Sequence, residues 1–296
     1  MKIPQQPLSQ RILKYSLTTL IIIGSLWSAA GLEITLERIL DAPRQIGILV
    51  GAMFPLDLSQ EAFDRIIPKV FESLFIAWAG TVIGAIFSFP VSFLAAQNVA
   101  VGIVSRTTKQ ILNAIRAFPE LILAFVFLPI TGLGPFTGTL AVGIHSIGTL
   151  GKLSSEVIEG IDEGPLEAIK SSGGSKLNEL SFGVIPQVMP TITSYWLYRF
   201  EINLRASAVL GVVGAGGVGQ ELINQLRFRD FPRAGTVLIC TIILVLTADT
   251  ISAAIRNRII KGKVVKSKLL FVPIIVNRLN FIVWSFRLIN ITNIIN

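Results

Sequence analysis

Residues 73–96 read SLFIAWAGTVIGAIFSFPVSFLAA, and no charged side chain occurs between Glu72 and Arg106. A helix needs about 20 mostly apolar residues to cross roughly 30 Å of hydrocarbon, so this stretch predicts a membrane span. The rest of the chain agrees. Its 296 residues are 52% hydrophobic and 15% charged, with a mean hydropathy of +0.69. Ordinary soluble domains carry about 25% charged residues. That balance excludes a typical cytosolic enzyme and a disordered chain. One cysteine, Cys240, permits no internal disulfide, and with one histidine, His145, a Cys/His metal cluster is impossible. The expected class is an all-α polytopic membrane protein.

Working outward, Tyr15 to Leu32 is uncharged and reads as an N-terminal anchor, because no small-residue cleavage site precedes Glu33. Residues 121–151 hold no charge, and Thr131-Gly-Leu-Gly-Pro-Phe-Thr-Gly138 at their centre is a turn signal. A helical hairpin over about 113–132 and 138–152 is expected there. A further span covers about 234–255, with Asp249 near its end. Residues 206–220 are too short and too glycine-rich to cross, so a helix over about 187–212 is expected, with Arg199, Glu201 and Arg205 inside it. The total is about six spans. The organisation expected is a membrane anchor with an external amphipathic segment over 1–69, a helical transmembrane domain over 70–258, and a basic tail over 259–296. Within the first of these, Phe63, Ile66, Ile67, Val70 and Phe71 recur at helical spacing and predict an amphipathic helix on the outer surface.

Lys and Arg total 16 in the segments that lie inside if the N-terminus is inside, against 7 outside. Cytoplasmic loops carry the basic excess, which predicts N-in and C-in. Arg227, Arg229 and Arg233 lie outside against the rule. The formal net charge of +8 requires no nucleic acid, since the tail from Arg256 alone holds eight basic and no acidic residues. That tail reads as interfacial or disordered.

Gly214-Ala-Gly-Gly-Val-Gly219 matches G-x-G-x-x-G, but a dinucleotide site needs a preceding strand within a βαβ unit, and no such pattern surrounds it. Gly211, Gly214, Gly216, Gly217 and Gly219 read instead as a helix end where backbones come close, and as a candidate gate. No phosphate-binding G-x-x-x-x-G-K-[ST] occurs, so ATP, if used, is bound by another chain. No catalytic or metal site is expected.

The inner loop 152–186 is long and polar. Gly164-Pro165 starts a short helix, Glu167 sits in its first turn, and Gly173 and Gly174 can end it. Leu166, Ala168 and Ile169 are then free to dock elsewhere. A capped surface helix would satisfy every one of these residues, but it gives no reason for two turns of helix between two spans.

Glu167-Ala168-Ile169, then Gly173, then Ile185-Pro186 resembles the E-A-A-x3-G-x9-I-x-L-P signature of ABC importer permeases. Ile169 replaces the second alanine, Gly183 the isoleucine and Ile185 the leucine. Phe118–Ile122, Ile185–Pro190, Tyr198–Ala206 and Val209–Gln220 look like phosphonate-type permeases, and the similarity runs over about residues 50–258. The resemblance implies a type-1, methionine-importer-like helical bundle in the inner membrane. It implies a homodimer joining two ABC ATPase subunits and an extracytoplasmic substrate-binding protein. Pro165, Leu166, Glu167, Ala168, Ile169 and Gly173, with Ile185 and Pro186 closing the loop, would form the coupling helix region. The substrate implied is phosphonate or a related phosphorus oxyanion, moved inward by alternating access.

A charge at mid-membrane costs about 2.5–3.5 kcal/mol, so Arg199, Glu201 and Arg205 must face protein or water. Glu201 and Arg205 stand i,i+4 and are expected to pair, leaving Arg199 to find another partner. They read as an ion-paired joint or as a cationic lining for an anionic substrate. His145 reads as a satisfied interior histidine, and Glu120 as paired with Arg116 at a helix start. Two alternatives remain at this level. One is an intramembrane lipid-acting enzyme using Glu120, His145 or Asp249, although no nucleophile motif accompanies them. The other is a secondary anion transporter, although no second copy of the Gly-rich segment exists.

Overall fold

A computed structural model describes residues 8–31 and 35–261; the expected basic tail beyond lies outside the described residues. Among the described residues there are helices and turns and no strand. Contacts divide the chain between Pro55 and Leu56.

The first unit holds α1 (Leu8–Gly31) and α2 (Leu36–Ala52). Residues 12–31 of α1 are long and apolar enough to cross a membrane, and side chains such as Leu20 and Trp27 stand exposed, as lipid-facing groups do. Thr35 caps α2, its hydroxyl accepting the Arg38 N–H.

The second unit is built on α3 (Gln60–Ala95), a 36-residue helix that includes the deciding apolar stretch. Ser59 caps its start by accepting the Ala62 N–H. The expected surface helix over residues 61–72 is in fact the first third of α3. Its apolar residues Ala62 and Ile66 are fully buried against Val218 and Val237 rather than laid on lipid. Of the expected stripe, protein thus took Ile66 and part of Val70, while Ile67 and Phe71 stay exposed.

Next come α4 (Gly102–Ala117) and α5 (Glu120–Thr131), bent by 85° at Phe118-Pro119. The first arm of the expected hairpin therefore starts at Glu120, not near 113. Pro119 disfavours a helical conformation at Phe118 and so breaks the run. Then α6 (Pro135–Glu159) returns alongside α3. Small residues set that contact: a Cβ on Gly84 would lie 2.4 Å from the Ser146 Cβ, and one on Gly80 2.8 Å from Val142 Cγ1. Without a hydrophobic drive between helices in lipid, such close backbone approach is what holds spans together.

The inner loop carries α7 (Gly164–Ser171), the single turn α8 (Lys176–Asn178) and a π-helical turn, Glu179–Val184. The π turn runs directly into α9 (Ile185–Leu210). A 3-10 turn, Gly211–Val213, leads through the glycines to α10 (Gly217–Arg227) and α11 (Phe231–Lys261). By length and composition three described helices can each cross a membrane, and five spans result if each bent pair counts as one.

Candidate functional site

The inner end is organised around α7. Pro165 occupies its first turn, Glu167 lies in that turn, and no α7 residue is buried. Gly173 adopts φ +80° and ends the helix, with Gly174 donating to the Ile169 carbonyl at 2.9 Å. Leu166 packs into the apolar cluster of Ala96, Ile158, Val184, Val188 and Ile192, which joins the inner ends of α3, α6 and α9. Gly183 makes room for this seat: a Cβ there would lie 3.2 Å from Leu166 and 3.3 Å from Ile169. The departure from isoleucine at position 183 and the larger Ile169 thus face each other. Glu167 and Ala168 stay exposed on the opposite side. Nearby, Glu159 accepts from Lys109 and from the Gln97 N–H, tying α6 to α4. Burial pushes its carboxyl up, but Lys109 and the Gln97 amide together hold it below the ordinary value.

The charged residues of α9 do not pair with each other. Arg199, 4% exposed, donates Nη2 to Glu120 at 2.9 Å and Nε to Ser146 at 2.9 Å, and its Nη2 also contacts His145 Nδ1. His145 Nδ1 stands 3.0 Å from the same Glu120 oxygen. Asn203 continues the network, donating to Thr81 at 2.8 Å and to Ser146 at 3.0 Å. The expected Glu120–Arg116 pair is absent, because the break at Phe118-Pro119 removes the common helix face.

The expected Glu201–Arg205 pair is also replaced. Arg205 Nη2 donates to both oxygens of Asp249, each at 2.8 Å, and Arg256 Nη1 lies 3.2 Å from Glu201 Oε1. An i,i+4 pair along one helix is worth only about 0.3–0.5 kcal/mol, so it yields readily to carboxylate and arginine partners on a neighbouring helix. Thus α11 supplies partners that spacing along α9 could not reveal. Because Asn203 bonds Thr81 and Leu204 packs on Ala77, this ladder lies beside the uncharged stretch of α3.

The glycine-rich turn sits at the other end of α3 from α7. Gly214, Gly216 and Gly217 all have positive φ. Gly211 and Gly219 touch backbone to backbone: a Cβ on Gly219 would fall 1.7 Å from the Ala208 carbonyl oxygen. The start of α10 is capped across the molecule, Gly217 N–H donating to Glu72 and Val218 N–H to Ser73. Gly134 N–H donates to the Gly214 carbonyl and fixes the α5–α6 turn to the glycines. Beyond α10, Arg233 binds Asp57 at 3.0 Å. The Ser59 hydroxyl and N–H, then Arg233, hold the Asp57 carboxyl below its ordinary value.

Sequence reasoning missed α2, the depth of the bend, the Thr81–Ser146–Asn203 network and the α3 cap on α10. Phe118-Pro119 signalled the bend, and Thr35 ahead of Glu37 offered a start for α2; nothing local to one helix signalled the network or the cap.

Residues 88–261 match the family model described as a binding-protein-dependent transport system inner membrane component. The phosphite transport system permease protein PtxC of Stutzerimonas stutzeri is 35% identical, covering 80% of this chain and 85% of that protein. The phosphate-import permease protein PhnE of Mycolicibacterium smegmatis is 40% identical over 67% of this chain and 40% of its own length. Among solved structures, an inward-facing MetNI methionine ABC transporter superimposes with a TM-score of 0.61 at 20% identity, over 68% of this chain and 99% of that one. That likeness shows the type-1 importer permease fold. The enzyme and secondary-transporter readings fall away, since these relatives are transport permease subunits. A helical, multi-pass chain of this composition is an inner-membrane permease subunit whose family works with ATPase and substrate-binding partners: it belongs to the binding-protein-dependent transport system inner membrane component family.

Proposed function

We propose that this chain is the membrane pathway of an ATP-driven importer for a phosphorus oxyanion (phosphite, phosphonate or phosphate), working as a homodimer. The observation that carries the reading is the 35% identity, sustained over 80% of the chain, to a phosphite permease. Supporting it, α7 is a capped, exposed helix seated on the cluster that joins α3, α6 and α9, as a coupling helix requires. A rigid helix transmits rigid-body movement to the spans better than a loose loop. ATP binding on partner subunits would pull α7, and α3, α6 and α9 would follow through Leu166. In this reading Glu167 and Ala168 face the ATPase, and the Gly211–Gly219 turn gates the opposite end. The buried Arg199–Glu120–His145 cluster and the α9–α11 ladder hold the moving helices in register.

The test is uptake of labelled phosphite, methylphosphonate and phosphate by cells lacking this chain and other importers, then restored with wild type or Gly173→Val. Rescue by wild type with failure of the membrane-inserted variant is the expected result. Normal uptake without the chain would remove the substrate assignment. Crosslinking of the purified importer reads the stoichiometry; one copy per complex would overturn the homodimer.

A further inference from the structure

Gln220, Asn224 and Arg227 occupy i, i+4 and i+7 on α10, one face of a helix. That face forms one wall of a cavity of about 430 Å³, whose other wall is the Gly211–Gly214 turn with Phe125 and Leu133. Among the described residues none of the three polar side chains makes a hydrogen bond or an ion pair. The cavity has no carboxylate among its lining residues. A neighbouring cavity of about 520 Å³ is different: it holds more cations, but Arg65, Lys69 and Arg233 are paired with Glu61, Glu72 and Asp57, and Glu221 and Asp230 share its wall. Arg227 is thus an unneutralised cation at the end of the molecule opposite α7. It is also one of the arginines whose outer position runs against the usual basic bias.

We propose that this cavity is an outward-side binding site for the tetrahedral oxyanion, with Arg227 supplying the charge and Asn224 and Gln220 the amide donors. The inference rests on the substrate class proposed above. Arginine's planar fork matches two oxygens of such an anion. The volume lies in the ordinary small-ligand range of about 300–1,000 Å³. Arg227 is exposed, so water reaches the site and keeps the attraction modest. One cation and two amides hold an anion long enough to select it and weakly enough to release it, as passage requires. The same turn that lines the cavity contains Gly211 and Gly214, so any movement of the glycine-rich segment would reshape the site.

Labelling tests this directly in the assembled importer. Ile223, which also lines the cavity, becomes the reporter in an Ile223→Cys, Cys240→Ala chain. The reagents are sulfonatoethyl and trimethylammonioethyl methanethiosulfonate, one anionic and one cationic. With each rate divided by that reagent's rate with a free thiol in solution, the anionic reagent should be favoured by about tenfold, the effect of a unit charge a few ångströms away in partly wet surroundings. Millimolar phosphite should slow it, and Arg227→Ala should erase the preference while Arg227→Lys keeps it. Equal normalised rates, or no protection by phosphite, phosphate or methylphosphonate while wild type transports one of them, would overturn the site. An anion preference without oxyanion protection, in an importer that takes up no phosphorus oxyanion, would instead overturn the substrate reading above.

Discussion

At Gly219 the constraint is a single atom. The missing Cβ would overlap the Ala208 carbonyl oxygen at 1.7 Å, and backbone cannot yield as a side-chain tip can. Gly219→Ala should therefore lower the thermal midpoint of the detergent-solubilised protein by an amount at or above the usual 1–3 kcal/mol of overpacking. Gly102→Ala, where a Cβ meets nothing within 4 Å, is the matched control and should be neutral or better. A Gly219→Ala protein as stable as the control would remove the close-contact account. Gly173 is the contrasting case: its surroundings are open, and only its φ of +80° resists substitution. Asparagine tolerates that conformation and valine does not. Gly173→Asn should keep most uptake and Gly173→Val lose most of it. Equal uptake by both would show that the left-handed turn is not what fixes α7.

At the scale of elements, α7 can serve as the coupling helix proposed above only if its seat is firm. Leu166 and Ile169 rest on Gly183, and a leucine there must displace both. Gly183→Leu should leave the chain inserted and bound to its ATPase but cut uptake per ATP hydrolysed several-fold; unchanged coupling would mean that α7 acts without this contact. The seat was half legible in sequence. Pro165, Glu167 and Gly173 announced the helix and its ends, because capping chemistry is local. Its docking surface was invisible, because Ala96, Ile158 and Ile192 come from three distant helices. The same division explains the charged helix. Composition revealed that Arg199, Glu201 and Arg205 need partners, yet α11 and the start of α5 supply them across long stretches of chain. At the outer end, Asp57 and Arg233 clasp the approach to α3 onto α11. The folded Asp57 titrates below its ordinary 3.8, so the clasp stabilises fully above that value and is lost as pH falls through the lower folded one. Hydrogen exchange in residues 57–62 should rise on acidification below 3.8 in wild type, and Asp57→Asn should flatten that rise. Identical acid profiles would place the acid sensitivity elsewhere.

Across the whole molecule, the helices meet in lipid through two kinds of contact that respond differently to loss. The α3–α6 seam is made of small residues in close contact; the α9–α11 ladder and the Arg199 cluster are ionic and hold by charge balance. Uncharged stretches located the helices well, because hydrophobicity is a property of each segment alone. They gave no pairing, because pairing depends on which face each helix turns to its neighbour. The ionic contacts carry a sharp consequence. Arg199 is nearly fully buried, so removing it strands Glu120 and His145 beside a dry Ser146 and Asn203. Breaking one member of a buried pair costs about 3–5 kcal/mol, whereas replacing both by apolar groups of similar volume is often neutral. Arg199→Met should therefore unfold the solubilised protein at a clearly lower temperature, and adding Glu120→Leu should recover much of that loss. Uptake then separates the two roles. If the cluster only locks α5 to α6 and α9, the double variant regains transport together with stability. If Arg199 also meets the anion in transit, stability returns and transport does not.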